Sequence, residues 1–564
     1  MIDGVAAQRA DALRRTLDQL VDGGPQRPTA QLDDGDDAWS LGLAAFVASW
    51  RLDHTQTRSL ADLALERLPE PWGSDPEATV LTCAALALAG AGIGMPGGWN
   101  LVAQGRTPTG DPVVDGMALL PRLEADSTAE FTRYALAEAA LACARVDLAG
   151  VIASTMLIDS GAALEHPYSI VVRVLVARVA AFRGHITEAA AILEQTQPSG
   201  VQRLDRLADA TRGLVSGNAS QAALVRRLAD ELADPIAAPD QDRIDLGASL
   251  LIAFGLIAVG EVRRSAGVAL AVITAGPAPM IVDRMLALEL ALAAAILDND
   301  LDAAQSWLAA AADVTDDPIA DSTVARMRSR VAMMAGDADA AAAFAMVAVD
   351  LAATNGRAIE LAEAEILVAQ AEIAAGRTGQ AGRRLSAVVA ERAVDGYRAV
   401  HRSASATLRT AGRRLPPARG SGDLGLTGRE REVRDLLLAG QSNAEIAARL
   451  HLSPHTVRVH VSRVLAAHGV PTRFALVAAT AARLAGGGAL ELDAAHLAML
   501  TQRQHAVVRH LVTGASNAEI ASRLAIAVRT VEKHLGGVMQ RWGARGRAEV
   551  VAIAVGAMEP PAGR

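Results

Sequence analysis

SNAEIAARLHLSPHTVRVH, residues 442–460, returns 74 residues later as SNAEIASRLAIAVRTVEKH, residues 516–534. The two copies extend into segments of about sixty residues that align without a gap. Leu426-Thr427 matches Leu500-Thr501, Gly440 matches Gly514, His460 matches His534 and Arg473 matches Arg547. Each segment reads as a chain of short helices. Thr427-x-x-Glu430 and Thr501-x-x-Gln504 are capping boxes, in which a hydroxyl and a carbonyl oxygen satisfy backbone N–H groups at a helix start. Gly440 and Gly514 suit a left-handed C-terminal cap. Ser442-x-x-Glu445 and Ser516-x-x-Glu519 then open a second helix of eight or nine residues. In the first copy Ser453 caps a third helix, with Pro454 at its first position. A short helix, a tight turn and a longer helix make a helix-turn-helix.

The third helix has two faces. Val457, Val461, Val464 and Leu465 recur at helical spacing and form an inward stripe. His455, Arg458, Val459, Ser462 and Arg463 lie off it. Such a face fits a DNA major groove, where an arginine can hold guanine by two hydrogen bonds. An ordinary amphipathic helix with solvated arginines is the competing reading. The paired capping boxes, the repetition and the local charge favour DNA. Residues 424–564 carry 17 Lys+Arg against 10 Asp+Glu, a net of +7, so with −9 for the whole chain residues 1–423 carry −16. A basic tail behind an acidic body points to a polyanion at the tail.

LTGREREVRDLLLAGQSNAEIAARLHLSPHTVRVHVSRVLAAHGVPTR, and its second copy starting at Leu500, resemble the DNA-binding module of LuxR-type transcription regulators. The resemblance covers about 120 of the 564 residues. It implies four-helix modules whose third helix enters the major groove and whose fourth often makes a dimer contact. Carried onto this chain, the expected base-reading positions are Arg458, Val459, Ser462 and Arg463. Their second-copy counterparts are Glu532, Lys533, Gly536 and Gly537, with Thr456 and Thr530 near backbone phosphates. Where the family usually has a basic residue and then leucine before the terminal glycine of that helix, the first copy has Ala467-His468 and the second Arg541-Trp542. The second copy also has Ala527 in place of the capping Ser453, and Gly536-Gly537 inside its recognition helix. The two modules are therefore expected to share a scaffold and differ in role, the first being the main base reader.

Upstream, residues 169–395 read as alanine- and leucine-rich helical hairpins. With Gly184, Gly217, Gly260, Asn299, Gly336 and Gly376 as turn markers, the spacings run from 33 to 43 residues. That fits a tetratricopeptide-like solenoid, in which each hairpin buries its apolar face only against its neighbours. The expected fold is all-α: a helical region 1–168, repeats 169–406, a linker 407–423 containing Pro416-Pro417, and helix-turn-helix domains at 424–485 and 497–558. The Gly/Pro-rich stretch 94–116 reads as a plain insertion or a disordered loop.

Other classes find little support. Aromatics are 3% of residues, which disfavours a β-sandwich. Cys83 and Cys143 are too few for a disulfide framework. The apolar runs 80–95 and 247–260 are shorter than the roughly 20 residues a membrane span needs. No basic-then-apolar leader opens the chain, so a cytoplasmic protein is expected. The single lysine, Lys533, lies outside any GxxxxGK[ST] loop, so the nucleotide-hydrolysing domain that precedes the repeats in some large LuxR-type regulators is not expected. GxSxG, HExxH and CxxC are absent, so no enzyme, cofactor or metal is expected. His451, His455 and His460 have no carboxylate or cysteine to complete a metal site. The expected partners are double-stranded DNA, a second copy in a homodimer, and RNA polymerase or an effector on the repeats. The rival reading is a helical-repeat adaptor whose C-terminal modules are structural or bind DNA non-specifically.

Overall fold

The computed structural model describes residues 2–21, 37–92, 107–156, 166–232, 242–274, 279–311, 319–392, 396–413, 428–438, 440–468, 494–512, 517–544 and 546–554. It also describes 426, 470, 472, 473, 475–477, 480 and 515. The chain divides into two compact units, Met1–Leu415 and Pro416–Arg564. Among the described residues both are helical, without strands.

The first unit is a stack of antiparallel helical hairpins. Its turns are closed by one device. A residue in the left-handed region recurs at Ala144, Gly184, Ser220, Gly260, Asn299, Gly336, Gly376 and Gly412, at spacings of 36 to 40. In each case the next N–H turns back to a carbonyl five residues earlier, as in His185 to Ala180, Gln221 to Ser216 and Asp337 to Ala332, at 2.7–3.0 Å. These bonds satisfy carbonyls that the helix end would otherwise leave open. The repeat is thus more regular than its sequence markers, and it reaches upstream of residue 169. It also runs on through the helix Arg398–Thr410, whose Leu408 is buried.

One marker has a different use. Gly217 lies inside the helix Gln202–Asn218, and Ser220 takes the left-handed position. A Cβ on Gly217 would sit 2.6 Å from the Gly255 carbonyl oxygen, and one on Gly255 2.4 Å from that of Gly213. The glycines let Gln202–Asn218 and Arg243–Ala258 approach backbone to backbone. The stretch 94–116 also departs from expectation. Its residues up to 106 lie outside the described ones, but Asp111 caps a helix Pro112–Met117 with Val113 fully buried. The scarce aromatics are concentrated nearby, with Phe46, Trp50, Phe131, Tyr134 and Tyr168 packed at ring separations of 5.3–6.5 Å.

Arg326 is fully buried and joins three hairpins. Its Nη2 lies 2.6 Å from Glu289 Oε2, its Nε donates to Glu289 Oε1 at 2.9 Å, and its Nη1 pairs with Glu360. Arg330 pairs with Glu289 and Glu363, and Arg357 with Glu360. Burial alone would push the Glu289 pKa up; the adjacent Arg326 and Arg330 charges override it and hold the carboxyl well below its usual range. Arg326→Ala should therefore cost about 3–5 kcal/mol, because Glu289 stays buried with one guanidinium fewer. A denaturant melt of the full chain checks this; a loss below about 1 kcal/mol would show the pair to be solvated. The sign for pH follows from the depressed carboxyl. Its contribution is complete above the unfolded value of about 4.3 and falls away as pH drops towards the lower folded value.

Candidate nucleic-acid interface and a pocket in the repeats

In the second unit the first module contains α1 (Gly428–Leu438), α2 (Asn443–Leu450) and α3 (Pro454–Ala467). The second contains α4 (Gln502–Val512), α5 (Asn517–Leu524), α6 (Val528–Trp542) and α7 (Arg547–Ala554). Gly440 is left-handed, and Gln441 N–H returns to Leu436 at 3.0 Å. Ser442 and Glu445 form both halves of the capping box on α2. Thr501 and Gln504 cap α4 reciprocally: Gln504 Oε1 accepts from Thr501 N at 3.1 Å, and Thr501 Oγ1 accepts from Gln504 N at 3.4 Å. Thr427, Gly514 and Ser516 lie outside the described residues.

The tight turn between the second and third helices uses a left-handed His451 in the first module and Ala525 in the second. Leu452 N–H bonds to Ala447 at 2.9 Å, and Ile526 N–H to Ala521 at 3.0 Å. Ser453 Oγ accepts from Thr456 N at 3.0 Å and caps α3. Val457, Val461 and Val464 are buried with Val433, Leu437 and Ile446. Val531, Leu535, Val538 and Trp542 do the same work in the second core. The opposite face therefore points out. Arg458, Val459, Ser462 and Arg463 are exposed, as are Glu532, Lys533 and Gly536; Thr456, Thr530 and Gly537 are half-buried. The structure thus brings the four expected positions of the first module, and Glu532, Lys533 and Gly536 of the second, onto one outward helix face; Gly537 lies at its edge, against Gln504.

Two features escaped the sequence reading. Arg463 Nη1 lies 3.3 Å from Glu430 Oε1, and His460 Nδ1 lies 3.8 Å from the same atom. About half of the Arg463 side-chain surface remains exposed. In the second module this pair becomes Gln504 and Gly537, and a Cβ on Gly537 would lie 2.7 Å from Gln504 Nε2. The second feature is an arginine clamp. Arg473 donates to Gln441 O at 3.3 Å and Asn443 Oδ1 at 2.5 Å; Arg547 donates to Ala515 O at 2.8 Å and Asn517 Oδ1 at 2.7 Å. Burial lowers the pKa of both guanidiniums. Both clamps span 30 residues, and their four residues already stand at matching positions of the repeat; that coincidence was the available signal.

Residues 424–479 and 498–554 each match the family described as bacterial regulatory proteins, luxR family. Both C-terminal modules are LuxR-type helix-turn-helix domains. A Mycobacterium tuberculosis (strain H37Rv) chain classed, provisionally, as HTH-type transcriptional regulator Rv0890c is 47% identical over 75 residues. A Mycobacterium bovis chain of the same class, Mb0914c, is 45% identical over 75. The aligned stretch is 13% of this chain and 8% of each relative. A solved structure of a Rap protein complexed with competence and sporulation factor aligns over 80% of this chain and 99% of its own, at 10% identity and a TM-score of 0.26.

Within the first unit, a pocket of about 680 Å³ opens among the hairpins. Phe182, Phe254, Met333, Leu367 and Tyr397 line much of it, and Arg330, Glu360 and Glu363 of the buried ion network form part of one wall. Among the described residues no helix is long and apolar enough to cross a membrane, and no His/Cys/Asp/Glu group is placed to hold a metal.

Ala527 adopts the extended backbone of an N-cap, φ −69° and ψ 148°, but offers no side-chain acceptor to α6. Ala527→Ser should stabilise the start of α6 by about 1 kcal/mol. Amide exchange at Val528–Val531 should slow; an unchanged rate would mean that another group already satisfies those N–H donors.

Proposed function

We propose that the chain is a sequence-specific DNA-binding transcription regulator in which the first module is the main base reader and the helical repeats receive an effector. The observation that carries the DNA reading is the outward face of α3. Arg458 is exposed and makes no ion pair among the described residues, so its five donors are free for phosphate or a guanine edge. Val459 is 40% exposed, and apolar contact with a thymine methyl accounts for an otherwise costly surface valine. Arg463 extends from the same face with one guanidinium nitrogen held by Glu430. Ser462 completes the reading set, and Thr456 at the start of α3 suits a phosphate.

The second module presents different chemistry. Glu532 is repelled by phosphate unless it accepts from a cytosine amino group. Lys533 supplies a backbone anchor, Thr530 a hydroxyl near it, and Gly536 and Gly537 allow close approach without reading a base. Its part is positioning more than discrimination.

For the repeats, the pocket favours an effector over a purely structural role. Its volume is in the range of small-molecule sites, and its lining is mainly apolar with a few polar groups. RNA polymerase remains a candidate partner of the regulator as a whole. The cytoplasm is the expected compartment.

Binding to duplex DNA should weaken steeply with salt, since released counterions supply much of the free energy. Arg458→Ala should cost about 1–3 kcal/mol on a selected site and much less on scrambled DNA. Lys533→Ala should weaken both about equally. Affinities on the two DNAs at one fixed salt concentration provide the check. The reverse pattern would make the second module the reader, and a folded protein that binds no duplex at low salt would remove the DNA reading itself.

A further inference from the structure

The two modules do not have separate cores. Leu476 and Val477 are neighbours on the first module's last helical stretch, yet they enter different clusters. Leu476 is fully buried in the first module's core. Val477, 4% exposed, belongs to the buried cluster of the second module, together with its own counterpart at the 74-residue offset, Val551. Leu438, from the end of α1, packs against both clusters. The Gly440 turn of the first module meets the start of α7: a Cβ on Gly440 would lie 2.9 Å from Glu549 Cγ. Glu549 is itself buried, 4% exposed.

These contacts have a consequence for how DNA is met. An isolated helix-turn-helix module presents one recognition helix, and such proteins gain a second by pairing two copies about a twofold axis. Two identical helices then read two identical half-sites, and the target is an inverted repeat. Here the apolar position on the first module's fourth helical segment is already covered, and what covers it is the second module of the same chain. One chain therefore carries a packed pair of recognition helices. The pair is unlike: α3 offers Arg458, Val459, Ser462 and Arg463, and α6 offers Glu532, Lys533, Gly536 and Gly537.

We infer that a single chain binds a composite, non-palindromic duplex site, with the two modules seated as one rigid pair on two unlike half-sites. This rests on the DNA reading above and narrows it: the homodimer expected from the resemblance is replaced at the DNA by an in-chain pair. The half under the first module is well defined and contains guanine. The half under the second is weakly defined but must lie at a fixed helical phase, because the packing through Val477, Leu438 and Gly440 leaves the modules no independent rotation.

The full-length protein is used to select duplexes from a random pool, and the bound complex is weighed by native mass spectrometry. One chain per duplex and a consensus without inverted symmetry are expected. Five base pairs, about half a helical turn, are then inserted between the two halves. A rigid pair keeps its own spacing, so its two protected segments should stay at an unchanged separation, with α6 now seated on the inserted bases and only a modest loss of affinity. An inverted repeat carrying two chains would overturn the inference, as would a second protected segment that follows its half-site five base pairs away, which would mean loosely tethered modules. Both of those outcomes leave DNA binding intact. Retention of no duplex at all would instead overturn the DNA reading on which the inference stands.

Discussion

A backbone N–H that turns back onto the carbonyl five residues earlier, across one left-handed residue, sets the spacing of nearly everything in this chain. It closes the hairpins of the first unit from Ala144 to Gly412. It ends α1 at Gly440, and it makes the turn of both helix-turn-helix modules at His451 and Ala525. The bond satisfies a helix-end carbonyl and reverses the chain in two or three residues, so the next helix must lie against the last. In the first unit the result is a stack; in the second it holds α3 and α6 at the angle that leaves one face outside. Where the left-handed residue is not glycine, as at Ser220, His451 and Ala525, the turn carries a cost of roughly 1 kcal/mol or more that packing on either side must offset.

Much of this was legible because the signals are local. Capping needs a particular side chain three residues from a particular N–H, so Ser442-Glu445 and Thr501-Gln504 announce helix starts by spacing alone. The buried stripe Val457-Val461-Val464 follows from helical period. Gly217 was misread because glycine serves two purposes that a sequence does not separate. It permits positive φ, and it permits close approach; at 217 the second applies, and the turn passes to Ser220. The helix at Pro112–Met117 was hidden by its own composition. Glycines and prolines read as loop, yet Pro112 follows the capping Asp111 at the position where proline favours a helix.

The candidate site was legible in its positions and not in its supports. Placement of Arg458 and Lys533 outside follows from the placement of valines inside. The pairing of Arg463 with Glu430 does not, because it crosses 33 residues between helices whose relative rotation the pattern leaves open. Its replacement by Gln504 and Gly537 shows the difference between the modules to be coordinated. Where the first keeps a carboxylate behind a restrained arginine, the second keeps a neutral amide behind a glycine, and neither leaves an isolated charge at that place. The packing of Val477 into the second core is further from sequence still, since a lone valine carries no address.

Arginine, nearly the only cation this chain uses, is divided by the fold into two kinds. In the first unit many arginines pair with a carboxylate about one repeat away: Arg226 with Glu261, Arg263 with Asp298, Arg264 with Asp230, Arg326 with Glu289, Arg377 with Asp339. They tie hairpin to hairpin, and since the unit is acidic overall they leave no excess of positive charge for a polyanion. In the second unit Arg473 and Arg547 are turned inward to carbonyl and amide oxygens, where they hold the fourth-helix segments. Among the described residues Arg458 and Lys533 face outward on the recognition helices, and Arg449, Arg503, Arg509 and Arg523 are exposed on the helices around them. Most described cations of the second unit therefore stay at its surface, within a segment of net charge +7, and the −16 of residues 1–423 discourages the repeats from competing for the same phosphates.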